Sequence, residues 1–158
     1  MSSISKDELY MREALSEAKK ALALGEVPIG CVVVLNDRVI GRGHNVRESE
    51  GDPTAHAEMV ALRRAAKSIG NWRLDGATIY VTMEPCIMCT AAIIMARVER
   101  IVYATKNDKF GACGTVWNLP DDPAFGNHPV VKGGVLENEA KEILDNFFRK
   151  LRGEDRIV

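Results

Sequence analysis

The sequence predicts an α/β protein, a three-layer α/β/α sandwich around a five-stranded sheet that is mostly parallel or mixed. Short β-branched runs alternate with helical patterns along the chain, the order that lays helices on both faces of a sheet. The 158 residues carry no internal repeat, low-complexity stretch or linker, so a single domain over 1–158 is expected, long enough for a real core. Apolar residues at 46% and charged residues at 27% are ordinary for a globular chain,.

The elements follow in order. Ser5 and Glu8 form a capping box,, and Met11, Ala14, Leu15, Ala18, Ala21 and Leu22 recur at the spacing of one buried helical face before Gly25 ends it,. Ile29 to Leu35 and Arg38 to Gly41 flank Asn36-Asp37, the signal of a hairpin,. A polar segment from His44 to Thr54 reads as a loop, with Asp52-Pro53-Thr54 supplying helix-start chemistry for a helix that runs to Gly70,. Thr78 to Thr82 is a strand; Pro85 suits the first turn of the next helix, which stays apolar almost all round to Ala96. Such a helix is expected in a core or a subunit interface. Arg100 to Tyr103 is a fourth strand, and a long Gly- and Pro-rich loop over 106–129 is expected to be functional, since idle loops of that length are uncommon,. Val130 to Leu136 gives a short strand interrupted by Gly133-Gly134, and Ala140, Ile143, Leu144, Phe147, Phe148 and Leu151 fall on one stripe of a last helix.

Composition excludes some classes. Lys and Arg number 21 against 22 Asp and Glu, a net charge of −1, so any polyanionic partner has to be held by a local cluster. No apolar run approaches the ~18–20 residues of a membrane span, and the first residues lack an apolar leader segment,; a cytoplasmic protein with no membrane contact is expected. Four cysteines in such a chain point to metal or catalysis before disulfides,. Cys31, beside Val32-Val33-Val34, reads as a small core residue, and Cys113, like it, lies outside the pair of short motifs that carry the chemistry.

The chemistry is concentrated in His56-Ala57-Glu58 and Pro85-Cys86-Ile87-Met88-Cys89. One imidazole and two thiolates can hold Zn²⁺ and leave a fourth position open for water. Glu58 stands close enough to handle that water's protons without being a ligand,. Together the pieces match the H-x-E…P-C-x-x-C pattern of zinc deaminases. Residues two apart do not share a helical face, so His56 and Glu58 converge only if the first turn is irregular. Glu84 reads as a hydrogen-bonding structural carboxylate, His128 as structural or rim, and Phe147-Phe148 as core.

Beyond this pattern, Glu26-Val27-Pro28-Ile29-Gly30, Gly43-His44-Asn45, Asn71-Trp72-Arg73-Leu74, Thr82 to Cys89, Phe110 to Thr115, Asn127-His128 and Phe147-Phe148-Arg149 resemble the bacterial tRNA-specific adenosine deaminases over most of the length. The resemblance implies a cytidine-deaminase-like fold, a homodimer whose partner completes each active site, one zinc per subunit, and hydrolytic conversion of adenosine to inosine at the wobble position of a tRNA anticodon loop. It implies His56, Cys86 and Cys89 as metal ligands and Glu58 as the catalytic residue. Substrate contacts are implied from Asn45, Ala57, Asn107, Asn127 and Arg149. The alternatives are a deaminase of free guanine, cytosine or a cytidine nucleotide, and more remotely a CxxC thiol oxidoreductase, which leaves His56 and Glu58 without a role.

Overall fold

Ser5 starts the first helix: its Oγ accepts the N–H of Glu8 at 3.1 Å, and α1 runs Lys6–Ala23. The computed structural model describes residues 4–153, so the expectations for the extreme N-terminus and for a domain spanning 1–158 extend beyond the described residues. In chain order the elements continue with β1 (Gly30–Leu35), β2 (Arg38–His44), α2 (Arg47–Glu50), α3 (Ala57–Ile69), β3 (Thr78–Met83), α4 (Ile87–Met95), β4 (Arg100–Thr105), β5 (Val130–Lys132) and α5 (Glu137–Leu151). Asn36 and Asp37, both at positive φ, make the tight turn between β1 and β2, the geometry that matches strand twist in a two-residue hairpin.

The sheet has the order β2-β1-β3-β4-β5. β1 is antiparallel to β2 and to β3, while β3, β4 and β5 run parallel, so the sheet is mixed. Alternation along the strands separates two cores. Cys31 and Val33 of β1, with Ile79 and Val81 of β3, face Ala61 and Ala65 of α3 and Ile93 of α4. Val32 and Val34, with Tyr80 and Val102, face Met11, Ala14 and Leu15 of α1 and Ala140 of α5. This is the three-layer sandwich, with Cys31 as a buried core residue.

α3 lies unusually close to β2. A Cβ on Gly41 would stand 2.4 Å from the Ala61 carbonyl oxygen, and one on Gly43 would stand 2.5 Å from that of Ala57. Only glycine allows this approach, which sets the depth at which the start of α3 enters the molecule.

The structure refines several expectations, and α2 lies within the 44–54 segment expected to be a loop. α3 begins at Ala57 and not at Asp52-Pro53-Thr54, because Asp52 Oδ1 accepts both the N–H and the hydroxyl of Thr54 at 2.8 Å and closes a separate turn. Pro85 lies before the α4 helix, whose N-cap is Cys86. α4 buries Cys89, Thr90, Ile93 and Ile94, but Met95 is 64% exposed and Ile87 43%, so one apolar face is open in the single chain. α5 buries only Ala140 and Leu144, and Leu151 is exposed. Among the described residues no helix is long and apolar enough to cross a membrane.

Candidate active site

Two helix starts meet at the end of the sheet where the parallel strands β3 and β4 finish. His56 is the N-cap of α3, with extended backbone (φ −71°, ψ 157°), and Cys86 is the N-cap of α4, also extended (φ −74°, ψ 178°). Neither side chain caps its own helix, so both are available to a third party. His56 therefore stands outside the helical spacing that would hold it apart from Glu58, the second residue of α3. Cys89 is the third residue of α4, and side chains at the N-cap and third positions reach toward each other. The CxxC spacing thus converts into two thiols on one side of a helix start.

The result is a compact donor triangle. His56 Nδ1 lies 3.7 Å from Cys86 Sγ and 3.6 Å from Cys89 Sγ, and all three donor atoms fall within 4.8 Å of one another. Tetrahedral bonds of about 2.3 Å to sulfur and about 2.0–2.1 Å to nitrogen put neighbouring S and N ligands about 3.6 Å apart. The residues therefore fit a tetrahedral ion. The positive ends of α3 and α4 favour thiolate at the same point. Cys86 is the acidic thiol, brought down to about 4 chiefly by a hydrogen bond with Cys89 and then by His56, while Cys89 is displaced upward by the same bond and by burial.

Glu58 is 4% exposed. Burial pushes its carboxyl up to about 7, with the Cys86 charge adding to the rise; its own backbone N–H, His56 and Cys89 pull the other way. A carboxyl at that value can both take and give a proton near neutrality.

These groups open into a cavity of about 880 Å³. Asn45, Ala57, Asn107 and Arg149 all line it, together with His56, Glu58 and Cys86. Asn127 is not brought to it: its Nδ2 donates to the carbonyls of Ile94 (3.1 Å) and Val98 (3.4 Å), closing the C-terminal end of α4. His128 holds the Pro120 carbonyl through Nδ1 at 2.8 Å, a structural role. Phe148 belongs to the cavity wall and not to the core.

Sequence reasoning missed three parts of the wall. Arg47 comes from α2, which is anchored by the buried carboxylate of Glu26 accepting the N–H groups of Glu48 (3.2 Å) and Ser49 (2.5 Å). Lys141 and Asp145 come from α5, one turn apart in line with Arg149. That i, i+4, i+8 charged row beside Leu144 and Phe148 was the available signal. Glu84 has the structural role expected of it: its carboxylate holds the following loop through backbone N–H groups.

Comparison with known proteins identifies relatives of the chain. The family described as MafB19-like deaminase matches residues 5–152. The tRNA-specific adenosine deaminase of Bacillus subtilis is 50% identical over 155 residues, 98% of this chain and 96% of that one. The protein of the same name from Haemophilus influenzae is 46% identical, over 96% of this chain and 88% of its own. A solved structure from studies of A-to-I editing by tRNA:A34 deaminases superposes with a TM-score of 0.83 at 43% identity, covering 86% of this chain and 99% of that chain. The guanine deaminase of Nitrosomonas europaea shares the fold, with a TM-score of 0.75 at 23% identity over 92% of this chain and 86% of its own. The chain belongs to the tRNA-specific adenosine deaminases within the MafB19-like deaminase family.

Proposed function

We propose that the chain is a zinc-dependent deaminase that converts adenosine to inosine at the wobble position of a tRNA anticodon loop. The observation that carries the reading is the His56–Cys86–Cys89 triangle beside buried Glu58, in a chain 50% identical to a tRNA-specific adenosine deaminase. Zn²⁺ held by His56 Nδ1 and the two sulfurs would supply the Lewis acidity that makes water a nucleophile near neutral pH.

The remaining chemistry belongs to the chain. The Glu58 carboxylate takes the proton of the attacking water and delivers it to the ring nitrogen next to the attacked carbon. It then takes the proton of the added hydroxyl and passes it to the amine, which leaves as ammonia while the C=O forms, so adenosine and water give inosine and ammonia. A carboxyl raised to about 7 is suited to both directions of transfer,. Asn45 orients the nucleotide: its amide donates to the Val27 carbonyl at 3.4 Å and accepts the Arg47 N–H at 3.3 Å. That fixed amide keeps one N–H and one lone pair for substrate. The target adenosine enters flipped out of its stack, between the Ala57 wall and the 107–110 segment, with Asn107 and Arg149 on the side of the flanking nucleotides. Asn127 acts at a distance, by fixing the end of α4.

The open apolar face of α4, with Ile87 and Met95, supports a homodimer whose partner completes the site; sedimentation at micromolar concentration tests it, and a monomer rejects it. With tRNA as its substrate, the protein works in the cytoplasm. The substrate reading is tested by assaying the purified protein on an anticodon stem-loop with an unpaired wobble adenosine beside free adenosine, guanine and cytosine. Remote contacts orient the target base, so the hairpin is expected to react far better. Reaction with a free base and none with the hairpin would overturn the tRNA reading and retain a deaminase.

A further inference from the structure

Glu84 occupies the point where β3 and β4 part. Its own N–H donates to the Thr105 carbonyl at 2.8 Å, the last link between the two parallel strands. Beyond it the continuation of β3 turns through Pro85 to Cys86, and that of β4 leaves Thr105 for the loop that lines the cavity from Lys106 to Phe110. The Glu84 side chain is 1% exposed.

Its carboxylate is filled by donors from that loop. Oε1 accepts the N–H of Asn107 at 3.3 Å and the hydroxyl of Thr115; Oε2 accepts the N–H of Cys113 at 3.0 Å and of Thr115 at 3.2 Å. A carboxylate offers about four lone-pair sites, so these donors leave none to take a substrate proton. The loop is moulded around the group. A Cβ on Gly111 would stand 2.6 Å from Glu84 Cδ and 2.5 Å from the Asn107 carbonyl oxygen. Asn107 Oδ1 in turn accepts the N–H groups of Lys109 (3.3 Å) and Phe110 (3.0 Å). The Ala112 N–H donates to the Pro85 carbonyl at 2.9 Å, tying the same loop to the turn that carries Cys86. Loops of this length are otherwise loosely held; here one buried side chain gathers three residues of it, Asn107, Cys113 and Thr115.

We propose that Glu84 is a positioning residue that sets the 106–110 wall against the donor triangle, and through that wall sets affinity for the nucleic-acid part of the substrate. It does not touch the reacting atoms. The inference rests on the tRNA reading for its substrate. An amide in place of the carboxylate keeps one accepting atom and turns a donor toward loop N–H groups, so E84Q loosens the wall without changing a metal ligand.

The test compares wild type, E84Q, Thr115→Val and Thr115→Ser for zinc content, amide hydrogen exchange over 106–116, and kcat and KM on the anticodon hairpin. Thr115 is exposed, so its variants fold even if E84Q does not. Expected for E84Q are one zinc per chain, faster exchange over 106–116, KM raised at least about ten-fold and kcat within about three-fold. Thr115→Val should raise KM about three-fold, and Thr115→Ser should restore it, since only the serine keeps the hydroxyl donor. Unchanged KM in both E84Q and Thr115→Val, or a fall in kcat with loss of zinc, would overturn the assignment. If wild type leaves the hairpin unreacted, the substrate reading fails by itself, and unchanged exchange over 106–116 in E84Q then overturns the positioning role.

Discussion

His56 and Cys86 are the N-cap residues of two different helices, and their Nδ1 and Sγ atoms meet 3.7 Å apart. The cap position explains both the meeting and its chemistry. An N-cap residue has extended backbone while its neighbours are already helical, so its side chain is free of the helical faces. The orphan N–H groups of both helices then converge on the donor triangle and favour negative sulfur there. Sequence distance is no obstacle, because β3 returns the chain to the same end of the sheet before α4 begins.

The purified protein is expected to contain about one zinc per chain, held by three protein ligands. Cys86→Ala or Cys89→Ala should abolish metal content and activity together. Elemental analysis checks this; an active protein without metal would remove the zinc reading and return the CxxC to redox chemistry.

Glu58→Gln should retain zinc and thermal stability while turnover falls about 10²–10⁴-fold, the usual effect of deleting a general acid–base. Turnover near wild type would assign the proton transfers to another group.

The donor triangle and Glu58 were legible in the sequence because metal chemistry demands particular residue types at short spacings, and chance rarely supplies them. The layers were legible because period-2 strands such as Cys31 to Val34 alternate between two cores. The wall of the cavity was legible only in part: Asn45, Ala57, Asn107 and Arg149 line it as expected, and Arg47, Lys141 and Asp145 went unread. Glu26 looks like an ordinary solvated carboxylate in the sequence, yet it is buried and spends its acceptors on the N–H groups of Glu48 and Ser49, a pairing with no periodicity. Phe148 misled for a related reason. It sits on the apolar stripe of α5, but the helix crosses the cavity mouth, so the stripe beyond Leu144 meets open space instead of core.

Gly43→Ala should destabilise the fold by about 1–3 kcal/mol, the usual cost of overpacking, since the added methyl meets backbone atoms of Ala57 and Ala61 at 2.5 and 2.7 Å. Thermal melting should fall by about 2–4 °C per kcal/mol for a domain of this size. Because the displaced segment carries His56 and Glu58, zinc affinity should fall with it. A melting temperature and zinc affinity equal to wild type would show that α3 can retreat without cost.

Asp7 links α1 to the sheet. Its carboxylate accepts from Arg100 (3.2 and 3.0 Å), Lys132 (2.8 Å) and the Tyr80 hydroxyl (2.8 Å). Hydrogen bonding from the Arg100 guanidinium, above all, holds its pKa well below the ordinary carboxylate range. The stabilisation is therefore complete above the unfolded value of about 3.9. It is lost as pH falls below that value, where the unfolded chain takes up the proton first. Asp7→Asn should lower the melting temperature at pH 7 and narrow its difference from wild type as the pH drops below about 4. A constant difference across that window would mean that the carboxylate charge contributes nothing.

Electrostatic binding of RNA has to be local, because the whole chain carries a net charge of −1. The cavity gathers Lys106 and Lys109 on the loop after β4 with Lys141 and Arg149 on α5, interspersed with Asp108, Glu137 and Asp145. Backbone phosphates flanking a flipped nucleotide would run between the loop and α5. Each phosphate that pairs with a cation releases condensed counterions, so the logarithm of affinity falls with the logarithm of salt by about 0.7 per ion pair on single-stranded RNA. Lys106→Glu and Lys109→Glu should weaken hairpin binding at low salt and reduce that slope by about 0.7 for each lysine that pairs with a phosphate, with zinc content unchanged. Measuring dissociation constants from low to physiological salt decides the point. A slope identical to wild type in both variants would make the loop lysines an ordinary solvated edge and leave RNA binding to α5.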